Sequence, residues 1–440
     1  MRSQSSSKPL LKRNDAPDAV FFIVAVLLFL ASMNLFNKYF YLVFFALAIF
    51  IVLGRSTFSV NLWLIVLVLF SCCSLLFNPE SLYGITAAIK KFIYPLCYFL
   101  GLNILTQRKR SHKNGSIAEE MKRAERLFLS LCVVIAAGIA IHVLLNLLIN
   151  LEESNRNLID IWTEQPTSAT LHAAMMCLGI GMIPALLLNK SSVRLKVFAA
   201  VQLIVFVIFA LMLASRTFFV LAALVFVVGI VDVMLHSKSR ALLKKILLVL
   251  FCIALLLVLI FVANPFGIRT WLEGTNFYQR FFGEYASGLF SDTRLVLKRK
   301  YFEKMFSWEY MWGGDALRRA VGGSYAHELY LDTYSADGII AYVLVIAFVF
   351  SSSLRAFRLA LGRKGRVSRL SAALILGILV ALNVEFFIEP ILAGISWLFP
   401  TYCLLAGMTD RLSVLARTAE NEEARAAGND HRKEKRRRYI

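Results

Sequence analysis

Long runs of apolar residues, broken by short polar stretches, cover most of this chain. A helix needs about 20 apolar residues to cross a bilayer, and about twelve runs approach that length. We therefore predict an all-α polytopic membrane protein with about twelve transmembrane helices. The predicted spans cover residues 19–36, 39–54, 58–77, 85–105, 127–149, 169–189, 197–213, 217–235, 246–263, 338–352, 371–387 and 391–408.

One polar segment, residues 264–337, is much longer than the other connections and lies between two apolar runs. Part of it has the spacing of an amphipathic helix, with Arg294 and Lys298 on one face. We expect this helix to lie on the membrane surface, with Lys298 and Lys304 among lipid headgroups. The chain then divides into a polar tail (1–18), nine spans (19–263), the long loop (264–337), three spans (338–408) and a basic tail (409–440).

Composition agrees with a membrane protein. Apolar residues make up 59% of the chain and charged residues 17%, whereas soluble domains are nearer half and a quarter. The formal net charge of +20 lies mostly in short connections and in the tail, which is the pattern that orients membrane proteins. With both termini in the cytoplasm, residues 264–337 lie outside it. No aromatic-basic recognition module accompanies the charge, so we expect no nucleic-acid partner.

The cysteines and the C-terminal tail have simple interpretations. All seven cysteines fall within apolar runs, so we expect buried thiols rather than disulfides or metal ligands. The basic tail, residues 409–440, is expected to be disordered and to lie against anionic lipid.

Two arginines are candidates for binding an anionic substrate. Arg216 lies between two apolar runs with almost no loop, and a charge so close to lipid usually faces a polar cavity or a partner. The alternative is an arginine that reaches the lipid headgroups. Arg294 is at the start of the predicted amphipathic helix, and its planar guanidinium suits phosphate oxygens better than an ammonium does.

His327 is the candidate general base, because an imidazole can accept a hydroxyl proton near neutral pH. On a helix, Tyr330 and Tyr334 would share its face, while Glu328 and Asp332 would point elsewhere. The alternative is an ordinary polar surface residue. The chain has no His-x-x-x-His pair, no His-Glu-x-x-His and no paired Asp motif, so we expect neither a bound metal nor another cofactor.

These candidates fall within three motifs that resemble those of one bacterial family. The motifs are His-Glu-Leu-Tyr-Leu from His327 with Gly338 after it, Ser215-Arg216-Thr217, and Thr293-Arg294 followed by Gly313-Gly314. In this order they resemble the signatures of the O-antigen ligase and O-antigen polymerase superfamily. Its members have about twelve spans and one long outer loop late in the chain, so the likeness covers most of the sequence.

The resemblance implies a metal-independent, inverting glycosyltransferase of the bacterial cytoplasmic (inner) membrane. Its donor would be a glycan on a polyprenyl diphosphate, and its acceptor a glycan or lipid-linked sugar hydroxyl outside the cytoplasm. By this resemblance, His327 would activate the acceptor hydroxyl. Arg216 and Arg294 would bind the diphosphate and stabilise its developing charge, because fixed guanidinium groups can offset that charge where other enzymes use a metal.

The chain departs from the family pattern at Glu328, where the family has asparagine. The change exchanges a hydrogen-bonding amide for a carboxylate beside the expected base, which bears on acceptor binding more than on the fold. Glu328, Tyr330 and Lys91 are the residues we expect to support the site without contacting the reacting atoms.

The motifs leave several activities open. Family members join repeat units, attach finished chains to lipid A–core or modify proteins, and we favour a polymerase or a ligase-like transferase. The alternative class is a transporter or flippase for a polysaccharide precursor, with Gly- or Pro-broken spans in repeated halves. Pro95, Pro184 and Pro400 form no matching halves. Glu385 and Glu389 flank a turn and could serve either the acceptor or the fold.

Overall fold

The described part of the chain is almost entirely helical, as the apolar pattern predicts. Within it, the strands are β1 (Leu158–Ile159) and β2 (Pro166–Thr167), which pair antiparallel in a short hairpin. The computed structural model describes residues 19–35, 40–54, 58–77, 90–105, 117–151, 157–236, 255, 262–274, 277–278, 293–362, 367–389, 391–392 and 397–438.

The described residues of the N-terminal part form five helices. They are α1 (Ala19–Ser32), α2 (Phe40–Gly54), α3 (Leu62–Phe77), α4 (Ile93–Ile104) and α5 (Ile117–Ile149). α4 begins later than the predicted span 85–105, because Lys91 lies in a turn before it. α5 begins before the predicted span 127–149. Glu119 and Glu120 occupy its first turn, where their charge interacts favourably with the positive end of the helix dipole.

Between residues 168 and 236, all of which are described, the chain forms α6 (Ala169–Leu188), α7 (Val193–Met212) and α8 (Arg216–His236). Serine side chains start the first two. Ser168 accepts a hydrogen bond from the N–H of Leu171, and Ser192 accepts one from the N–H of Leu195. Such N-caps satisfy donors that the first helical turn leaves without a partner.

The later part of the chain contains α9 (Ile268–Glu273), α10 (Thr293–Lys304), α11 (Ala316–Ala320), α12 (Leu329–Leu361), α13 (Arg369–Ile388) and α14 (Leu398–Arg438). α14 corrects the expectation that the tail is disordered, because the helix continues from the membrane part to Arg438. Leu412, Leu415 and Ala416 are buried, at helical spacing. The predicted ninth span, 246–263, and the N-terminal tail, 1–18, lie almost wholly outside the described residues.

The long apolar helices make this a multi-pass membrane protein. Six of the described helices, α5, α6, α7, α8, α12 and α13, are long and apolar enough to cross a bilayer. Three shorter apolar helices, α1, α3 and α4, accompany them. Many of their apolar side chains are exposed on the protein surface, where lipid would cover them.

Glycines allow two pairs of these helices to pack very closely. A Cβ on Gly101 of α4 would collide with the Leu404 carbonyl of α14, and a Cβ on Gly407 of α14 would collide with the Tyr98 carbonyl of α4. Gly181 of α6 similarly abuts Gly377 of α13. Small residues at such contacts are typical of membrane helices, because packing rather than water exclusion holds these helices together.

Residues 293–328 fold over one end of the bundle, and we call them the loop subdomain. It comprises α10, a 3₁₀ turn (Trp308–Tyr310) and α11. The first turns of α12 complete its small separate core, which contains Tyr301, Met305, Leu317, Ala326, Leu331 and Tyr334. We call the end of the bundle that it covers the loop end.

Gly338 breaks α12 where the helix leaves the loop subdomain. Its φ of 83° and ψ of 176° are not helical, and the next N–H, of Ile339, donates to the Met311 carbonyl at 2.8 Å. Gly313, with φ 84°, faces this break so closely that a Cβ there would meet the Gly338 nitrogen at 2.7 Å. The stretch 329–337 therefore packs with the loop subdomain, and the long apolar part of α12 follows it.

Candidate functional site

The helices α8 and α13 run in opposite directions. Val225 of α8 lies beside Gly377 of α13. Asp232, which is later in α8, lines the same small cavity as Ala373, which is earlier in α13. α8 therefore begins at the end of the bundle where α13 finishes. Since α10 contacts the end of α13 at Ile388, this is the loop end.

Arg216 and Glu385 consequently lie at about the same depth in the bundle. Arg216 precedes Val225, and Glu385 follows Gly377, by about 12–14 Å along each helix axis at about 1.5 Å per residue. The two helices are in contact. The register thus brings the first residue of α8 to the level of the last turn of α13.

Arg216 begins α8 after a sharp turn. Ala214 has a left-handed backbone, with φ 47°, and the Ser215 hydroxyl accepts the N–H of Phe218 at 3.3 Å. The Arg216 side chain is half-buried. Within the part of the chain that the structure describes, it makes no hydrogen bond or ion pair. A cation is unfavourable at the positive end of a helix dipole, so guanidinium and helix end together form a place for an anion.

Arg294 of α10 contacts the end of α13, which lies at the same end of the bundle as Arg216. Its Nη1 donates to the Ile388 carbonyl at 3.0 Å and to Glu389 Oε1 at 3.3 Å. A cation is favourable here, since the last carbonyls of α13 carry the negative end of the dipole. Burial raises the pKa of the Glu389 carboxyl, and the neighbouring Arg294 opposes that rise.

Lys298 lies one turn beyond Arg294 and joins three segments. Its Nζ donates to the Phe387 carbonyl at 2.6 Å and lies 3.0 Å from Glu328 Oε2. Lys298 therefore bonds within the protein, and the expected contact of Lys298 and Lys304 with lipid headgroups stays a prediction. Lys304 donates to the Ala320 carbonyl at 3.1 Å, and both side chains hold α10 in place.

His327 does not lie on a helix, in contrast to the expectation of a helical face shared with Tyr330 and Tyr334. Its φ of 59° is left-handed, and α12 begins two residues later. The reason is the carboxylate of Asp332, which accepts the N–H of Ala326 at 2.7 Å and that of Glu328 at 3.3 Å. These bonds hold the backbone on both sides of His327 and leave its ring half-buried.

The three expected supporting residues divide into two places. Glu328 and Tyr330 lie at the loop end, Glu328 against Lys298 and Tyr330 with its ring 5.1 Å from that of Phe387. Lys91 lies apart from them and forms a buried ion pair with Asp337. The stretch 329–337 separates that pair from His327 by about 12 Å of helix, so Lys91 stabilises the break at Gly338 rather than the surroundings of His327.

Glu385 and Glu389 are the residues at this end to which sequence reasoning assigned no definite role. Both are buried, at 1% and 2% exposure. The signal was present, because an ionisable residue within a membrane helix is a candidate for function by default. Asp332 and Asp337 were also missed, and their roles depend on contacts that no local pattern contains.

The loop end of the bundle therefore gathers an arginine without a partner among the described residues, a second arginine, a histidine and several buried carboxylates. This arrangement can hold an anion at the start of α8, and it includes an imidazole at the same end of the bundle. Comparison with known proteins adds no assignment to this geometry. No protein-family model and no characterised protein sequence matches the chain.

Proposed function

We propose that this protein is a membrane glycosyltransferase of the O-antigen ligase or polymerase type. It would transfer or polymerise a polyprenyl diphosphate-linked oligosaccharide onto an acceptor glycan hydroxyl during synthesis of cell-surface polysaccharide. The observation that carries the proposal is Arg216. It combines a guanidinium that has no partner among the described residues with the positive end of a long apolar helix, as a lipid-borne diphosphate requires.

The proposed reaction uses three side chains. Arg216 and Arg294 hold the diphosphate and stabilise the charge that develops on it. His327 accepts the proton of the acceptor hydroxyl as its oxygen bonds to the anomeric carbon of the donor sugar, while the bond from that carbon to the phosphate oxygen breaks. Attack from the face opposite the leaving group inverts the anomeric centre. Arg294 would either exchange its contact with Glu389 for one with the diphosphate or bond both groups through different guanidinium nitrogens.

The proposed topology follows from the charge distribution. Twelve spans place both termini in the cytoplasm and residues 264–337 on the outer side of the bacterial cytoplasmic membrane. The loop end, with Arg216, Arg294 and His327, then faces the compartment in which lipid-linked glycans are joined. The short connections on the opposite side hold most of the basic residues, as the orientation of membrane proteins requires.

Substitution of His327 tests the proposed function. General-base assistance contributes about 10² to 10⁴-fold to rate, whereas loss of a partly exposed histidine alters stability by only about 0.5 kcal/mol. His327→Ala and His327→Gln are both expected to leave a normally inserted, abundant protein that no longer transfers glycan. Unused lipid-linked donor should accumulate on the outer face of the membrane.

Two outcomes would overturn this assignment. Activity retained in His327→Gln would remove the role as base, because an amide cannot accept the proton. Donor that accumulates on the cytoplasmic face instead would favour the transporter or flippase. The same assay with EDTA tests metal independence, since loss of transfer that magnesium restores would contradict a site built on arginines.

A further inference from the structure

Glu385, in the last turn of α13, is buried and has no hydrogen-bond partner among the described residues. It is 1% exposed, and neither carboxyl oxygen is hydrogen-bonded to any residue that the structure describes. Its titratable and charged neighbours are Cys177 on α6, Glu389 just beyond the end of α13, and Arg294 on α10. A polar group in such a position requires an explanation, because nearly all buried polar atoms have partners.

Arg294 does not provide that partner. It is directed at the Ile388 carbonyl and at Glu389 Oε1, so one guanidinium faces two buried carboxyl groups and is bonded to one of them. An ionised carboxylate without a hydrogen bond is costly in apolar surroundings, and the group takes up a proton instead. A neutral carboxyl group is a hydrogen-bond donor, and apolar sites in enzymes keep carboxylic acids neutral for that purpose.

The position of Glu385 indicates which group the O–H of its neutral carboxyl group would bind. It lies at the depth of Arg216, on the helix that packs against α8, and Arg294 is its electrostatic neighbour. Both arginines are assigned to an anion in the proposed function. An ionised carboxylate would repel a diphosphate, whereas a neutral one adds a donor without adding charge.

We propose that Glu385 is a third ligand of the donor diphosphate, which it binds as a neutral acid by donating its O–H to a phosphate oxygen between Arg216 and Arg294. This inference rests on the proposed function and extends it, because it adds a residue that the resemblance does not supply. In this proposal, the phosphate of the donor is the hydrogen-bond partner that the Glu385 carboxyl group lacks among the described residues.

The test is binding of an undecaprenyl diphosphate that carries no glycan, measured on the full chain in lipid nanodiscs. Hydrogen bonds to charged groups contribute roughly ten- to a hundredfold in affinity. Glu385→Leu and Glu385→Met remove the donor and should weaken binding by about that factor. Glu385→Gln keeps an N–H donor and should bind within about threefold of the parent chain, since its amide reproduces the hydrogen bond.

Asp232→Asn is the matched control. Asp232 is a buried carboxylate of α8 that contacts His236 at 3.1 Å, far from the loop end, so its substitution should leave binding unchanged. Glu385→Leu and Glu385→Met are both used so that misfolding of one variant does not decide the result. Each is compared with the parent chain by thermal unfolding before binding is measured.

The outcomes separate this inference from the proposed function. If the parent chain binds the diphosphate and folded Glu385→Leu and Glu385→Met bind it equally well, Glu385 is not a ligand and the proposed function stands. A Glu385→Gln variant that binds as weakly as Glu385→Leu would also overturn the neutral-donor role. If the parent chain binds undecaprenyl diphosphate no better than Arg216→Ala does, the proposed function itself fails.

Discussion

Lys298 of α10 lies with its ammonium 3.0 Å from the carboxylate of Glu328, the residue that follows His327. The same ammonium donates to the Phe387 carbonyl at the end of α13. One side chain thereby ties the loop subdomain to both the start of α12 and the end of α13. The carboxylate of Glu328 thus has a specific lysine partner at this end of the bundle.

Replacement of Lys298 by methionine should disturb this end of the bundle specifically. Glu328 is 7% exposed, and a buried carboxylate that loses its partner costs about 1–3 kcal/mol. We expect glycan transfer by Lys298→Met to fall at least about tenfold, and addition of Glu328→Gln to restore part of it. Lys300→Met, on the exposed face of α10, is the control. Equal activity of the two lysine variants would contradict the role of the ion pair.

The ion pair of Lys91 and Asp337 should matter for stability rather than for chemistry. Asp337 is fully buried and also accepts the Ser74 hydroxyl. Lys91→Met leaves that charge uncompensated and should destabilise the protein by about 3–5 kcal/mol, whereas Lys91→Met with Asp337→Leu should cost much less. Unfolding in mixed detergent micelles measures both. A double variant no more stable than the single one would show that the pair itself is required.

The break at Gly338 depends on the absence of a side chain. A Cβ there would lie 3.0 Å from the Met311 carbonyl oxygen, and its φ is +83°. Gly322 has a similar left-handed φ of +104° but nothing within 4 Å of its Cβ position. Gly338→Ala should therefore lower stability by about 1 kcal/mol or more beyond Gly322→Ala, which shares only the backbone strain. Equal thermal unfolding of the two variants would rule out the steric contact as the cause.

Arg216→Lys separates a specific contact from a simple charge. Lysine keeps the cation but loses the planar fork that binds two phosphate oxygens. We expect transfer to drop by about tenfold or more with normal protein abundance, and Arg216→Ala to be lower still. Normal transfer by both variants would mean that Arg216 only positions the span in the membrane.

Cysteine labelling tests the proposed orientation. Ser324 is exposed in the loop subdomain, and Lys190 is exposed beyond the end of α6 at the far end of the bundle. An impermeant thiol reagent added outside spheroplasts should label Ser324→Cys and not Lys190→Cys. The parent chain is the control for native thiols, and the described ones are buried or half-buried. The reverse pattern would place the loop end in the cytoplasm.

The amino-acid sequence by itself determined the class of protein. Apolar runs of membrane length require helices, because every backbone polar group in lipid must be bonded within its own segment. The isolated charge Arg216 was evident for a related reason, since a cation between two apolar runs is costly beside lipid. The total of twelve spans stays a prediction, because part of the chain lies outside the described residues.

Only the tertiary structure decided what these residues contact. Lys298 meets Glu328, Lys91 meets Asp337, and Arg216 reaches the depth of Glu385, although each pair is widely separated in the sequence. Helical periodicity records which residues share a face of one helix, but it contains no information about which helix lies opposite. His327 shows the same limit at short range: the Asp332 side chain bonds the backbone around it, and this local competition with the helix overrides the pattern.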